Sequence, residues 1–445
     1  MSSLALYSER VLIDGRLIPA TIHIRDGKIL DVVSGFSNEK ELINYGSSVI
    51  MPGLIDSHVH INEPGRTEWE GFDTATRSAA AGGITTLVDM PLNSSPVTTT
   101  LEAFKKKTEI AKDKIHVNVG FWGGIIPGNN SELASMIEAG VLGIKAFTTH
   151  SGIDEFSNVS EGDLDEGMKI IAPYNVPLLV HAELDSEHAG QQALADDPCS
   201  YMAWLRSRPK SWEDEAINMM IRLSERTKCR THIVHLSSSN SIPVLKQAIE
   251  NGIKMSVETC PQYLFFNAED IPDNDPRYKC APPIREKENN DKLWGAVKDG
   301  LISFIVTDHS PAPPDIKELD TGNIAKAWGG ISSLELSLPA VWTKAREKGF
   351  QIEDMARLMS ENVAIFLKLD KQKGKIQKGM GADLMIWDPE ESFTADQSKV
   401  HYRHKISPYH GHKLYGVIRT TILNGSIVYD KGNFLSLRQG KLIMR

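Results

Sequence analysis

Between residues 51 and 374 the chain alternates short apolar runs with amphipathic stretches. Eight runs read as strands, at 53–57, 84–89, 116–121, 142–147, 177–181, 231–235, 254–259 and 303–308. Helical stretches lie between them. One runs from Ser131 to Ala139, with Ser131 as N-cap and Gly140 as stop. Others are Glu213 to Thr227, and Ile242 to Asn251 ended by Gly252. Strands that alternate with helices imply a parallel sheet, and eight such units imply a closed barrel.

The two ends carry a different pattern. Val11-Leu12-Ile13 meets Asp14-Gly15, and Thr21-Ile22-His23-Ile24 meets Arg25-Asp26-Gly27. Val417 to Leu423 meets Asn424-Gly425 and resumes at Ile427. Asx-Gly between apolar runs signals a hairpin, because tight hairpin turns need positive φ. The expected fold is therefore α/β: a closed (β/α)8 TIM barrel over 51–374, with a small β domain from 1–50 and 375–445. Proline-rich pieces at 272–276 and 311–314 read as loops over the barrel mouth.

Composition narrows the partners. Of 445 residues, 41% are hydrophobic and 24% charged, which suits a folded globular protein. A net charge of -9 without long charge runs argues against nucleic acid or an anionic membrane as partner. No basic N-terminal segment precedes an apolar stretch, and no run reaches membrane-spanning length. A soluble, cytoplasmic protein is expected. Cys199, Cys229, Cys260 and Cys280 form no Cys-x-x-Cys pair and are expected as free thiols.

Barrel chemistry gathers at the C-terminal ends of the strands. The first strand ends in His58 and His60, which share a face because strand side chains alternate. The fourth carries Lys145 inside an apolar run, the fifth ends in His181, the sixth in His235, and the eighth in Asp308. Each has a bland account alone: a core histidine, a capping aspartate, a lysine reaching out to solvent. Together, at five strand ends, they suit a pair of metal ions. A buried lysine tends to lose its proton. The neutral amine can add carbon dioxide, and the resulting carbamate is a carboxylate able to bridge two cations.

These residues sit in motifs that resemble the cyclic amidohydrolases of the amidohydrolase superfamily, and within them the allantoinases. The motifs are GLIDSHVHINEPGRTEWEGF at 53–72, GGITTLVDMPLNSSP at 82–96, IKAFTTHSGIDEF at 144–156, LLVHAE at 178–183, HIVHLSS at 232–238, VETCPQYL at 257–264, KCAPPIR at 279–285, VTDHSP at 306–311 and WGGISS at 328–333. The resemblance covers nearly the whole chain and implies a distorted (β/α)8 TIM barrel with a small β-sandwich domain formed by both chain ends. It implies one metal on His58, His60 and Asp308, a second on His181 and His235, and carboxylated Lys145 (N6-carboxylysine) between them. It points to two zinc ions, while the imidazole and carboxylate set also suits Mn, Co or Fe. It implies a homo-oligomer, either dimer or tetramer.

Within the family, dihydroorotases resemble this chain but place an arginine two positions after the second histidine, to hold a substrate carboxylate. Here that position is the neutral Asn62. Dihydropyrimidinases carry a tyrosine soon after the lysine, where this chain has Thr148, Thr149 and His150. The resemblance thus implies ring opening of allantoin, a small molecule, to allantoate in purine degradation, with Asp308 as the catalytic proton carrier. Asn62, His150 and Ser310 are expected at the substrate, Asp56 and His309 behind the ligands, and Cys280 and Arg285 in their loop. Gln262 replaces the usual histidine of its motif and is expected near the mouth. The alternatives are a hydantoinase or dihydropyrimidinase, and a non-catalytic scaffold relative, which typically loses metal ligands. A metal phosphoesterase would call for a basic groove, and none is apparent.

Overall fold

Eight parallel strand positions form the centre of the structure, a computed structural model that describes residues 3–38, 41–186, 190–435 and 438–445. They are Leu54–Val59, Ile84–Asp89, Asn118–Phe121 continued by Gly123–Gly124, Ile144–Phe147, Pro177–His181, Arg230–Ile233, Met255–Thr259 and Phe304–Ile305. Neighbours in sequence are neighbours in the sheet. The third position is interrupted at Trp122, whose N–H donates to Asp89 O (3.0 Å), while Leu142 N–H still reaches Phe121 O (2.9 Å). A parallel bridge between Val59 and His309 joins the last position to the first. This is the (β/α)8 barrel the sequence pattern calls for, distorted as the family resemblance implies. Its strands are buried on both faces, which is why they read as continuous apolar runs rather than alternating ones.

The closing seam is made partly by a side chain. The Asp56 carboxylate accepts from His58 N–H (3.0 Å) and Thr307 N–H (3.2 Å), and His60 N–H donates to His309 O (2.8 Å). Two strands end earlier than expected, the sixth at Ile233 and the eighth at Ile305. His235 (φ 40°) and Asp308 (φ 48°) are left-handed, so the extended ladder cannot run through them. One helix also differs: it spans Asn130–Ala139 and is preceded by Asn129, not capped by Ser131. Gly140 ends it at φ 118°. The helix expected from Glu213 begins at Lys210.

Both chain ends enter one nine-stranded sheet. Val49–Pro52 pairs antiparallel with Leu384–Thr394, placing Ile50 opposite Ile386. Asp14-Gly15, Asp26-Gly27 and Asn424-Gly425 each turn with positive φ, as the hairpin signals require. The sheet has its own core of Leu6, Ile22, Ile50, Leu384, Ile386 and Ile422. Among the described residues, no helix is long and apolar enough to cross a membrane.

Candidate metal centre

The strand ends converge on a cavity of about 440 Å³ whose wall includes His58, His60, Lys145, His181, His235 and Asp308. His58, His60 and Asp308 bring ligand atoms within 4.8 Å of one another. Asp308 Oδ1 faces His58 Nε2 at 3.1 Å and His60 Nε2 at 3.4 Å. The His181 ring lies edge-on to that of His235, with centroids 4.6 Å apart, and His235 lies 5.5 Å from His58. Lys145 is fully buried, and its Nζ has no hydrogen-bond partner.

Acidic groups brace the histidines from behind. Glu258 takes both His58 Nδ1 (2.5 Å) and His232 Nε2 (3.0 Å). Glu183 takes His181 Nε2 (2.6 Å) and is itself paired with Arg208. Such partners fix the ring and raise its basicity as a ligand. Asp89 accepts from Ile61 N–H (2.8 Å) and pairs with buried Lys107 (2.7 Å).

Electrostatics favour a cation here. Burial lowers the pKa of His60, His181 and His235 and leaves them neutral, the state in which imidazole binds metal. Burial also opposes charge on His58, but Asp308 and Glu258 outweigh it and raise the pKa. Two carboxylates that hold a proton on a buried imidazole provide a field that suits a divalent ion. Burial pulls Lys145 down to about 8. The donor set, the unpartnered amine and this field all fit the two-metal arrangement.

The remaining expected residues fall in different places. His150 and Ser310 line the cavity, His150 being bound to its own loop through Gly152 N–H (3.1 Å) and Asp154 (3.3 Å). Asn62 does not line it: it is fully buried, and its Nδ2 donates to Pro311 O at 3.5 Å. Asn93 stands on the wall instead, 3.4 Å from His60 Nδ1. Gln262 is fully buried away from the wall rather than near the mouth. Cys280 lines the cavity, while Arg285 pairs with buried Glu213 (2.6 Å), which accepts from Ser237 and Ser238 N–H (3.0 Å each). Arg285 thus supports the loop that follows His235. His309 is buried and accepts from Ser333 N–H (3.1 Å).

Sequence reasoning passed over Glu183, Glu258 and Asn93. Two signals were available. Glu183 is two residues after His181, so the pair share a side of the chain. Glu258 is an ionisable group inside a buried strand, as Lys145 is.

Residues 49–428 match the family model described as Amidohydrolase family. The chain belongs to this family. A probable allantoinase of Oryza sativa subsp. japonica is 45% identical, over 95% of this chain and 87% of the relative. The allantoinase of Streptomyces avermitilis is 44% identical over 99% and 98%. Among solved structures, the L-hydantoinase (dihydropyrimidinase) of Arthrobacter aurescens superposes with a TM-score of 0.94 at 32% identity, covering all of both chains. Amidohydrolase membership implies a binuclear divalent metal centre.

Proposed function

We propose that the protein hydrolyses the cyclic amide of allantoin, opening the hydantoin ring to give allantoate. The observation that carries this reading is the convergence of six metal-suited side chains on one cavity, in a chain whose near-full-length relatives are named allantoinases. His58, His60 and Asp308 would hold one ion, His181 and His235 the other, and Lys145 would bridge them. At Lys145 Nζ the neutral amine adds carbon dioxide and releases one proton, giving the bridging carboxylate. The two ions are assigned as zinc, which metal analysis tests against Mn, Co and Fe.

Divalent ions, when bound, lower the pKa of water toward neutrality and polarise the substrate carbonyl. Asp308 would take a proton from the attacking water and return it to the leaving ring nitrogen. Its Oδ1 faces the two histidines, which leaves Oδ2 to carry that proton. His150, Ser310 and Asn93 are placed on the cavity wall to contact the ring or its ureido arm. A cytoplasmic homo-oligomer completes the reading, tested by cell fractionation and sedimentation.

The deciding experiment is a ring-opening assay on allantoin, hydantoin, dihydrouracil and dihydroorotate, with metal quantified on the same sample. Allantoin turnover with two metals per chain is expected. Turnover of hydantoin or dihydrouracil without allantoin would overturn the substrate in favour of a hydantoinase. Metal-free, inactive protein would favour a scaffold relative.

A further inference from the structure

Two buried lysines near the cavity have no metal role: Lys279 lines it, and Lys317 stands behind its wall. Lys317 is 3% exposed, and its Nζ donates to three carbonyls: Lys279 O (3.1 Å), Trp328 O (3.0 Å) and Gly330 O (2.5 Å). Lys279 is 6% exposed and answers in the other direction, donating to Ala325 O (3.0 Å) and Ala327 O (2.7 Å). Gly330 N–H adds a bond to Lys279 O (2.8 Å). Trp328 and Gly330 on one side, and Lys279 and Ala281 on the other, form part of the wall of the metal-centre cavity.

Among the described residues, neither ammonium has a carboxylate within salt-bridge distance. Burying an ammonium without a counter-ion is costly, and burial pulls both lysines down to about 7. An unbranched apolar side chain would fill the same space at less cost. As the ammonium, which three accepting carbonyls favour over the two-donor neutral amine against the cost of burial, Lys317 offers three donors on one atom, matched here by three carbonyls from two segments. Gly330 also packs closely against the segment that follows the eighth strand position: a Cβ on it would stand 2.4 Å from Ser310 O.

We propose that Lys317 is a positioning residue for substrate binding: its ammonium pins the segment Ala327–Gly330 against Lys279–Ala281 and so sets this wall of the cavity. The kinetic half of the inference rests on the ring-opening reading above; the pinning half does not.

The test is Lys317→Met in the metal-loaded protein, with hydrogen exchange of peptides covering 323–333 followed by mass spectrometry without substrate. Exchange in that segment is expected to accelerate by about 100-fold, with the barrel strands unchanged. In the kinetic arm, KM should rise by about tenfold while kcat stays within about threefold, because only binding geometry is loosened. Lys317→Gln, which keeps two neutral donors, should recover part of both effects. Unchanged exchange, or a fall in kcat with KM intact, overturns the proposal. So does acceleration spread over the whole barrel, which marks a merely structural role. If Lys317→Met does not fold, Lys317→Gln takes the same exchange measurement, since its amide offers two donors to the three carbonyls. If the wild type opens another ring instead of allantoin, the functional reading fails. The KM comparison is then made on that ring, and the exchange result still decides the pinning.

Discussion

Truncating Lys145 to alanine tests the two-metal reading at its centre. The side chain is fully buried and its amine makes no hydrogen bond. Deleting three methylenes costs about 2.4 kcal/mol of burial at ~0.8 kcal/mol each. It also removes an unpaired buried amine, which costs the fold about 1–3 kcal/mol. These terms nearly cancel, so metal-free Lys145→Ala is expected to unfold at almost the same denaturant concentration as the wild type. The metal-loaded forms should differ. Ligand at a thousandfold excess over its Kd stabilises a fold by about 4 kcal/mol, and a variant without the bridge forfeits most of that. Activity should fall on the order of a thousandfold, since metal polarisation contributes several kcal/mol. Acetate or propionate fits the vacated space and should restore part of both metal content and rate. Reconstitution of the wild type with zinc and bicarbonate should also rise with pH and level off above about 8, where burial places the amine, rather than near 10.5. If Lys145→Ala keeps both metals and the full rate without added acid, the carbamate assignment is wrong.

Glu258→Gln removes the negative charge behind His58 and leaves one acceptor oxygen for the two histidines, and should weaken metal affinity by about 10–100-fold, read by competition with a chromophoric chelator; unchanged affinity would refute the bracing role. Arg285→Met leaves Glu213 buried and unpaired, and should cost about 3–5 kcal/mol in chemical denaturation. A loss under 1 kcal/mol would show that the pair contributes little to the loop after His235. Burial opposes ionisation of Glu183, but Arg208 and His181 hold its carboxyl down to about 2. Its folded pKa is below the ordinary 4.5, so its stabilisation is complete above that pH and is lost as pH falls toward 2. Glu183→Gln should flatten the metal-free stability curve in that window, measured by unfolding at stepped pH, and an unaltered slope would sink the assignment.

The barrel was legible because buried parallel strands leave uninterrupted apolar runs, and all eight fall within a few residues of their expected positions. Strand ends were less legible. His235 and Asp308 adopt a left-handed backbone, which is uncommon for any non-glycine residue although His and Asp tolerate it better than most, and nothing in the local sequence marks it. Asn62 shows a second limit. The family resemblance put it at the substrate, but the chain turns left-handed at Asn62 itself (φ 66°), and its side chain is buried off the cavity. Asn93 comes from the loop after the second strand and reaches His60 only through the fold. The lysine pair at 279 and 317 carries no sequence signal of its own, since its partners are backbone carbonyls of residues up to 48 positions away.

The proposed ligands and the barrel closure are one piece of construction. His58 and His60 belong to the first strand and its end, and Asp308 follows the last, so a cation shared by the three would tie the two edges of the sheet together. The left-handed backbone at Asp308 costs about 1–3 kcal/mol. Glycine would relieve that cost but would supply no carboxylate. The seam over-determines the turn instead: Thr307 N–H is held by Asp56 (3.2 Å), His309 N–H by Thr307 Oγ1 (3.0 Å), and His309 O by His60 N–H (2.8 Å). The residues before and after Asp308 are thus bonded to the first strand, and its carboxylate faces the two imidazoles that strand carries. Closing the barrel and bringing this carboxylate to the histidines are achieved by the same set of bonds.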